Sequence, residues 1–409
     1  MDDLMSIDVR TITDDEVEAF TRAINLGFNN HARPDEAELR RGGIQIDRTH
    51  AAFAGGEMIG AARSFPTTLT LPGGATVPVG AVTNVAVVPT HRRQGALTGM
   101  MAAQLDDIAA RCEPAAILIS AEAPIYGRFG YGCASRNATV RLDTGRARFA
   151  ARAGALAQIR FVDNDGLRKE GPAVFDRFRA QQPGAIARNE RWWDFFCGVI
   201  RDPAEESVDK RFHALCGDDG WLSYEIKGDW DGRLPANKLE VHDLVASTPE
   251  AYAALWYHCL TLDWIATVTA SDRPVAEPLP DLLTDPRRAV VTEVTDFLWA
   301  RLLDVPAALS ARSYRGHDRL VIAVVDGFRP EQGGRYRLDV EDGMGTCTAT
   351  DDDPDVTVTA RELGAAWLGG TGLWLAAGAG QVDEHTAGAV RRFDDLFLTN
   401  QPPWCNTWF

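Results

Sequence analysis

Apolar and polar positions alternate in short blocks from the first residues onward, the pattern of a mixed helix-and-strand chain. Residues 7–10 suit a first strand, and Thr13-Asp14-Asp15-Glu16 has a capping-box arrangement before a helix running through Ala23. A helix pattern around residues 35–41 leads to two strands, 51–53 and 58–64, turned at Gly55-Gly56. Residues 67–71 and 76–79 read as a second hairpin around Gly73-Gly74. Residues 82–88 form a β-branched strand closed by Pro89. A short basic loop follows, Thr90-His91-Arg92-Arg93-Gln94-Gly95. Leu97, Met100, Met101, Leu105, Ile108 and Ala109 then recur at helical spacing, and residues 115–120 form a short buried strand.

The character of the chain changes near Asp143, where Arg146, Arg148 and Arg152 among alanines suggest a crossing linker. Residues 160–272 then repeat the first region's element types in worn form. Strands are expected at 221–227, 238–246 and 265–270, with a helix at 249–262. Trp192, Trp193, Phe195 and Phe196 fit a core or an interface better than an active site. Pro274, Pro278, Pro280 and Pro286 mark a further boundary. Beyond it the pattern predicts a helix over 294–303, then strands at 320–325, 334–340, 345–350 and 355–360. Residues 363–380 carry no charge over 18 positions but contain six glycines, so two short buried helices are expected rather than a membrane span. The divisions are therefore 1–145, 146–287 and 288–409.

At 409 residues the chain exceeds a single ordinary core. Its 45% hydrophobic and 24% charged content is that of a folded soluble protein. With 42 basic and 58 acidic residues the net charge is −16, which disfavours nucleic acid and anionic membranes and would attract cationic substrates. Seven scattered cysteines form no CxxC pair, and eight histidines form no His-x-x-x-His pair, so no metal is expected. The acidic turn from Asp351 to Asp355 lacks the spaced ligands of a calcium loop and reads as a solvated turn. The acidic N-terminus has no apolar signal core, so a cytoplasmic location is expected.

A strand feeding a glycine-bearing basic loop that opens a helix can hold phosphate through backbone N–H groups, the helix dipole and arginine donors. Arg92-x-x-Gly95 in that setting resembles the pyrophosphate loop of the GNAT superfamily of N-acetyltransferases, with Leu97 departing from its last small position. Downstream, Tyr126-x-x-x-Gly130-Tyr131 matches a second motif of that superfamily. The fuller strings VAVVPTHRRQG and YGRFGYG look like the Eis (enhanced intracellular survival) acetyltransferases in particular. The resemblance implies an α+β protein: two tandem GNAT-fold units, the second degenerate, followed by a sterol-carrier-protein-like α/β domain. The second unit's equivalent loop, Ser247-Thr248-Pro249-Glu250, has neither arginine nor glycine and should not bind coenzyme A.

The chain ends on Trp404, Trp408 and Phe409, apolar groups that would be costly to expose. Either the tail turns inward and carries a carboxylate with it, or it docks for packing or oligomer contacts. The resemblance to Eis implies the first, with Phe409's carboxylate as general base and Tyr126 as general acid. A free α-carboxyl titrates near ~3.5 and a phenol near ~10, so the phenol suits protonation of a thiolate and the carboxyl needs burial or a relaying water. Acetyl-CoA is the expected cosubstrate. Its expected contacts are Val85, Ala86 and Val87 on the strand, Arg92, Arg93, Gln94, Gly95, Ala96, Leu97 and Thr98 in the loop and helix start, and Ser120, Ala121 and Glu122. Phe28, Asp35, Glu36 and Asn84 are candidates for the amine pocket.

The family further implies amine acceptors, including aminoglycosides acetylated at more than one position and lysine side chains, and a homohexamer. Asn84 is polar where relatives often place an aromatic, which bears on aminoglycoside breadth. The competing possibility is a lipid- or small-ligand-binding protein in which the GNAT units only scaffold the last domain.

Overall fold

The computed structural model describes residues 6–150, 157–202 and 207–409; Arg152 of the expected linker lies outside them. The first unit opens with β1 (Asp8–Thr11), α1 (Val17–Gly27) and α2 (Glu36–Arg41), followed by β2 (Thr49–Ala54), β3 (Glu57–Thr70) and β4 (Thr76–Val87). Then come α3 (Ala96–Ala110), β5 (Ala115–Ile119), α4 (Ala123–Tyr126) and β6 (Gly132–Cys133). The capping box at Thr13 and Glu16 is present, and Arg10 reinforces it by gripping the Glu16 carboxylate. Both expected hairpins form, but they share one long strand: residues 57–70 run unbroken through Pro66, which lies opposite Gly80.

β1 to β4 pair antiparallel in order, while β4 and β5 run parallel. Their pairing is brief, only Gly80, Ala81 and Val82 against Ala116, Ile117 and Leu118. Beyond Val82 the strands part, and no strand among the described residues pairs with 83–87 on that side. A bulge also interrupts β4 there, with Arg63 opposite Thr83 and Ala61 opposite Ala86. Asn84 occupies it at φ 54°, a left-handed geometry that asparagine tolerates better than most residues.

The second unit takes β7 (Arg136–Asp143) from the end of the first region. It continues with β8 (Arg160–Val162), α5 (Asn164–Arg179), α6 (Glu190–Phe196), β9 (Arg211–Cys216) and β10 (Gly220–Lys227). A small two-stranded excursion, β11 (Trp230–Asp231) and β12 (Leu234–Pro235), precedes β13 (Asn237–Ala246), α7 (Pro249–Thr261) and β14 (Ile265–Pro274).

The next segment corrects the sequence reading: residues 294–303 are not helical. They belong to β15 (Ala289–Asp296), which joins the second sheet beside β7, and β16 (Leu298–Leu302), which lies in the first sheet between β5 and β6. All five residues of β16 are buried. A strand covered on both faces loses its alternation, so periodicity alone does not separate it from a buried helix. Among the described residues the first and second sheets each have seven strands.

The last domain comprises α8 (Val305–Ser310), β17 (Asp318–Val325), β18 (Gly334–Glu341), β19 (Met344–Ala349), β20 (Val356–Thr359), α9 (Ala360–Ala366), α10 (Leu373–Gly378), β21 (Asp383–Glu384) and α11 (Ala389–Phe397). The apolar run is split as expected at its glycines, but only its first half is fully buried. Leu363, Trp367 and Leu368 enter the core, whereas Trp374 and Leu375 on α10 are exposed. No helix among the described residues is long and apolar enough to cross a membrane.

Candidate active site

The parted end of β4 faces the start of α3. Arg93 adopts φ 65° and Gly95 φ 97°, so the chain reverses sharply into the helix. A side chain at Gly95 would meet nothing within 4 Å; the dihedral, not space, selects glycine. Residues 96–98 begin the helix, and their N–H groups have no intrahelical acceptor. Arg92 is committed elsewhere: its Nη2 donates to the Gly27 carbonyl at 2.8 Å and its Nε to Val87 at 3.5 Å. It therefore braces the loop against α1, while Arg93 and Gln94 are exposed. Ser120, just past β5, has a buried Oγ without a hydrogen-bond partner. A loop with free amides, an exposed guanidinium and an orphaned hydroxyl beside an unpaired strand edge fits an elongated phosphate-bearing group.

Tyr126 closes the one-turn α4 beside this edge. It packs with Val82, Met101, Leu118, Phe129 and Trp299, with Val85 at the margin of the same cluster. Tyr131 meets it edge-on at 6.1 Å. Burial, and secondarily the nearby Glu122, push the phenol up to about 12. Its hydroxyl makes no hydrogen bond among the described residues.

The other side of β3 and β4 opens into a cleft of about 360 Å³. Glu36, Arg33, Arg40, Arg63 and Phe65 line it from the first unit, Arg191, Trp192 and Phe195 from α6, and Thr407, Trp408 and Phe409 from the chain's end. Phe409 meets Phe65 edge-on at 5.6 Å. Burial disfavours a charged Glu36, but hydrogen bonds from Asn25, the Arg33 amide and Arg40 outweigh it and hold the carboxyl below its usual range. Of the other sequence candidates, Asn84 stands behind the wall, its Oδ1 accepting from Arg40 at 3.0 Å and Arg63 at 2.7 Å. Phe28 and Asp35 do not line the cleft; Phe28 is exposed past the end of α1 and Asp35 begins α2. Trp192 and Phe195, expected to be core or interface, are wall residues here, and only Trp193 is fully buried.

The tail is tied down residue by residue. Gln182 donates to the Pro402 carbonyl, Trp404 Nε1 to Asp272, Asn137 to the Cys405 carbonyl and Arg188 to both Asn406 and Thr407. Arg188 is also stacked 3.9 Å from the rings of Phe175 and Trp192. These contacts leave Phe409 inside the cleft, next to the β3–β4 bulge.

Comparison with known proteins identifies each unit. Residues 8–134 and 184–302 each match an acetyltransferase (GNAT) domain, and residues 305–406 match a sterol carrier protein domain. The fold and the loop therefore define a GNAT acetyltransferase. N-acetyltransferase Eis of Mycobacterium tuberculosis is 32% identical over 97% of this chain and 98% of its own. An uncharacterized N-acetyltransferase of Streptomyces avermitilis is 40% identical over 98% and 99%. The crystal structure of Eis1 from Mycobacterium abscessus superposes with a TM-score of 0.88 at 34% identity, covering 98% of this chain and all of that one. The chain belongs to the Eis-like N-acetyltransferases of the GNAT superfamily. Acetyltransferases of this fold use acetyl-CoA.

Proposed function

We propose that this N-acetyltransferase moves the acetyl group of acetyl-CoA to an amine held in the Phe409 cleft, with Tyr126 as general acid and the terminal carboxylate of Phe409 as general base. The observation that supports the reading is the place of Phe409 in the cleft, edge-on to Phe65 and in one wall with Glu36. Tyr126 belongs to the cluster of Val82, against which Val85 packs. When bound, acetyl-CoA supplies an activated acetyl thioester. Residues 96–98, Arg93 and Ser120 would hold its phosphate and pantetheine parts, and the free edge of residues 85–87 would align the arm. Tyr126 is matched to its task, because a buried, raised phenol stays protonated and can give a proton to a departing thiolate. Phe409's carboxylate would receive a proton from the acceptor ammonium, directly or through water.

Aminoglycosides, polyamines and lysine side chains are the candidate acceptors, with more than one amine acetylated where several are offered. A homohexamer and a cytoplasmic location belong to the same proposal; exposed Trp230, Leu234 and Trp264 on the second unit support assembly.

Mass spectrometry of kanamycin, spermidine and a lysine peptide after incubation with enzyme and acetyl-CoA tests the reaction. Absence of product from every amine would overturn it. Full activity in Tyr126→Phe, or after an extension beyond Phe409, would overturn the assigned roles and leave the reaction class standing.

A further inference from the structure

The net charge of −16 does not describe the acceptor cleft. Four guanidinium groups line it, Arg33, Arg40, Arg63 and Arg191, against the side-chain carboxylates of Glu36 and Asp202 and the terminus at Phe409. Two of the arginines are neutralised: Arg33 pairs with Asp202 at 2.8 Å, and Arg40 with Glu36 at 3.0 Å. Arg63 and Arg191 form no ion pair with any carboxylate among the described residues. Arg63 spends Nε on Asn84 and one Nη1 hydrogen on the Gly43 carbonyl at 3.3 Å, which leaves three of its five N–H groups unused. Arg191 donates one bond to the Leu39 carbonyl and lies 4.9 Å from the Phe195 ring.

The fold makes room for this pair. A Cβ at Gly43 would sit 2.4 Å from Arg191 Nε, so Gly43 holds that guanidinium's place over the turn after α2. Burial, then repulsion from Arg40 and Arg191, brings Arg63 down to about 10, the direction expected of a cation lacking a counter-ion. A half-buried cation of that kind is stabilised when an anion pairs with it. Phe65, Ile186, Trp192 and Phe195 add apolar surface to the wall, with Asn189 and Thr407 as its uncharged polar members.

We infer that Arg63 and Arg191 form an anion subsite in the acceptor cleft, and that the preferred acceptors are amines carrying a carboxylate on an apolar body. This rests on the proposed placing of the acceptor amine near Phe409. Arg63 lies opposite Thr83, beside the bulge that begins the acetyl-binding edge, so a carboxylate held there would steer the attached amine toward the acetyl group. A polycation would meet these two guanidinium groups, offset only by the terminal carboxylate of Phe409 and, at Arg191, by the nearby Asp194.

Two acceptors with the same amine separate the subsite from the reaction: 4-(aminomethyl)benzoic acid and its carboxamide. The acid is expected to show kcat/KM about 10- to 100-fold above the amide at low salt, the range of a charge-assisted bond. Arg63→Gln and, separately, Arg191→Gln should collapse that ratio toward one by raising KM for the acid more than for the amide. Arg63→Lys should restore part of it. Equal kcat/KM for acid and amide, or a ratio unmoved by both glutamine variants, overturns the subsite while leaving amine acetylation intact. As a readout independent of turnover, the acid should quench tryptophan fluorescence from Trp192 and Trp408 in wild type and less so in Arg63→Gln. Quenching without acetylation of any amine would support the subsite and overturn the proposed reaction; neither quenching nor acetylation would overturn both.

Discussion

Arg188 and Asp243 form a buried ion pair, Nη1 to Oδ2 at 2.6 Å, and the same two side chains grip the end of the chain. Arg188 Nε donates to Thr407 Oγ1 at 3.0 Å, and Asn406 Nδ2 donates to Asp243 Oδ1 at 2.7 Å. Arg188→Met would strand the Asp243 carboxylate and is expected to cost about 3–5 kcal/mol. Thr407→Val removes one hydrogen bond and should cost about 1 kcal/mol. Urea unfolding followed by tryptophan fluorescence checks both, and acetylation should fall further in Arg188→Met than its folded fraction explains.

Tyr126→Phe keeps the ring and removes the proton, so kcat should drop about 10²- to 10⁴-fold with little change in thermal midpoint. Because the phenol is raised to about 12, its protonated form persists through the working range. A kcat profile measured between about pH 6 and 10, roughly two to six units below the phenol, should show no decline that Tyr126→Phe abolishes.

His213 gives a stability signature at acid pH. It is buried, with Nε2 at 2.8 Å from Asn164 Oδ1, and burial, with help from Arg211 and His242, lowers it from 6.5 to about 4. The unfolded chain therefore binds a proton between those values that the folded protein refuses. Stability rises with pH across that window, and falls as pH drops from 6.5 toward 4. His213→Gln should flatten that part of the curve, a difference on the order of 3 kcal/mol in urea titrations at the two ends.

Glycines in one motif should answer differently to alanine. At Gly132 a Cβ would fall 2.0 Å from the Arg361 carbonyl oxygen and 2.5 Å from the Ala365 nitrogen, both backbone atoms of α9 or its start. Gly132→Ala should cost at least about 1–3 kcal/mol. At Gly127 the nearest atoms are 3.6 Å away on the flexible Arg361 side chain. Gly127→Ala should therefore be neutral or stabilise by about 0.4–1 kcal/mol. Equilibrium unfolding of the two variants side by side checks the contrast.

That contrast shows what was legible in the chain. The string from Tyr126 to Gly132 led to the family, but Gly132 serves the seating of α9 on the first unit, which no local pattern discloses. The phosphate loop was readable because its demands are local: a left-handed residue, free amides and a helix start. Arg92 looked like a donor to phosphate, yet a carbonyl 65 positions away claims it. The cleft was largely hidden. Its wall is assembled from α2, β3, α6 and the tail, and single arginines in such segments read as solvated charge until folding buries them. Gly42-Gly43 was a faint available sign, a paired glycine beyond a helix where the structure needs space for Arg191. Strand β16 escaped because complete burial erased its period.

The placing of that strand governs how the chain can be made. The first sheet needs Leu298–Leu302 between Ala115–Ile119 and Gly132–Cys133, while Arg136–Asp143 has left to pair in the second sheet. During synthesis, then, the first unit waits half-built, with one flank of β5 bare, until the ribosome has passed residue 302. Its closure is a long-range event, slow by chain topology and vulnerable to aggregation meanwhile. The second sheet occupies the unbroken stretch 136–296, set between the strands of the first, so the first sheet cannot be expressed or swapped as a contiguous cassette.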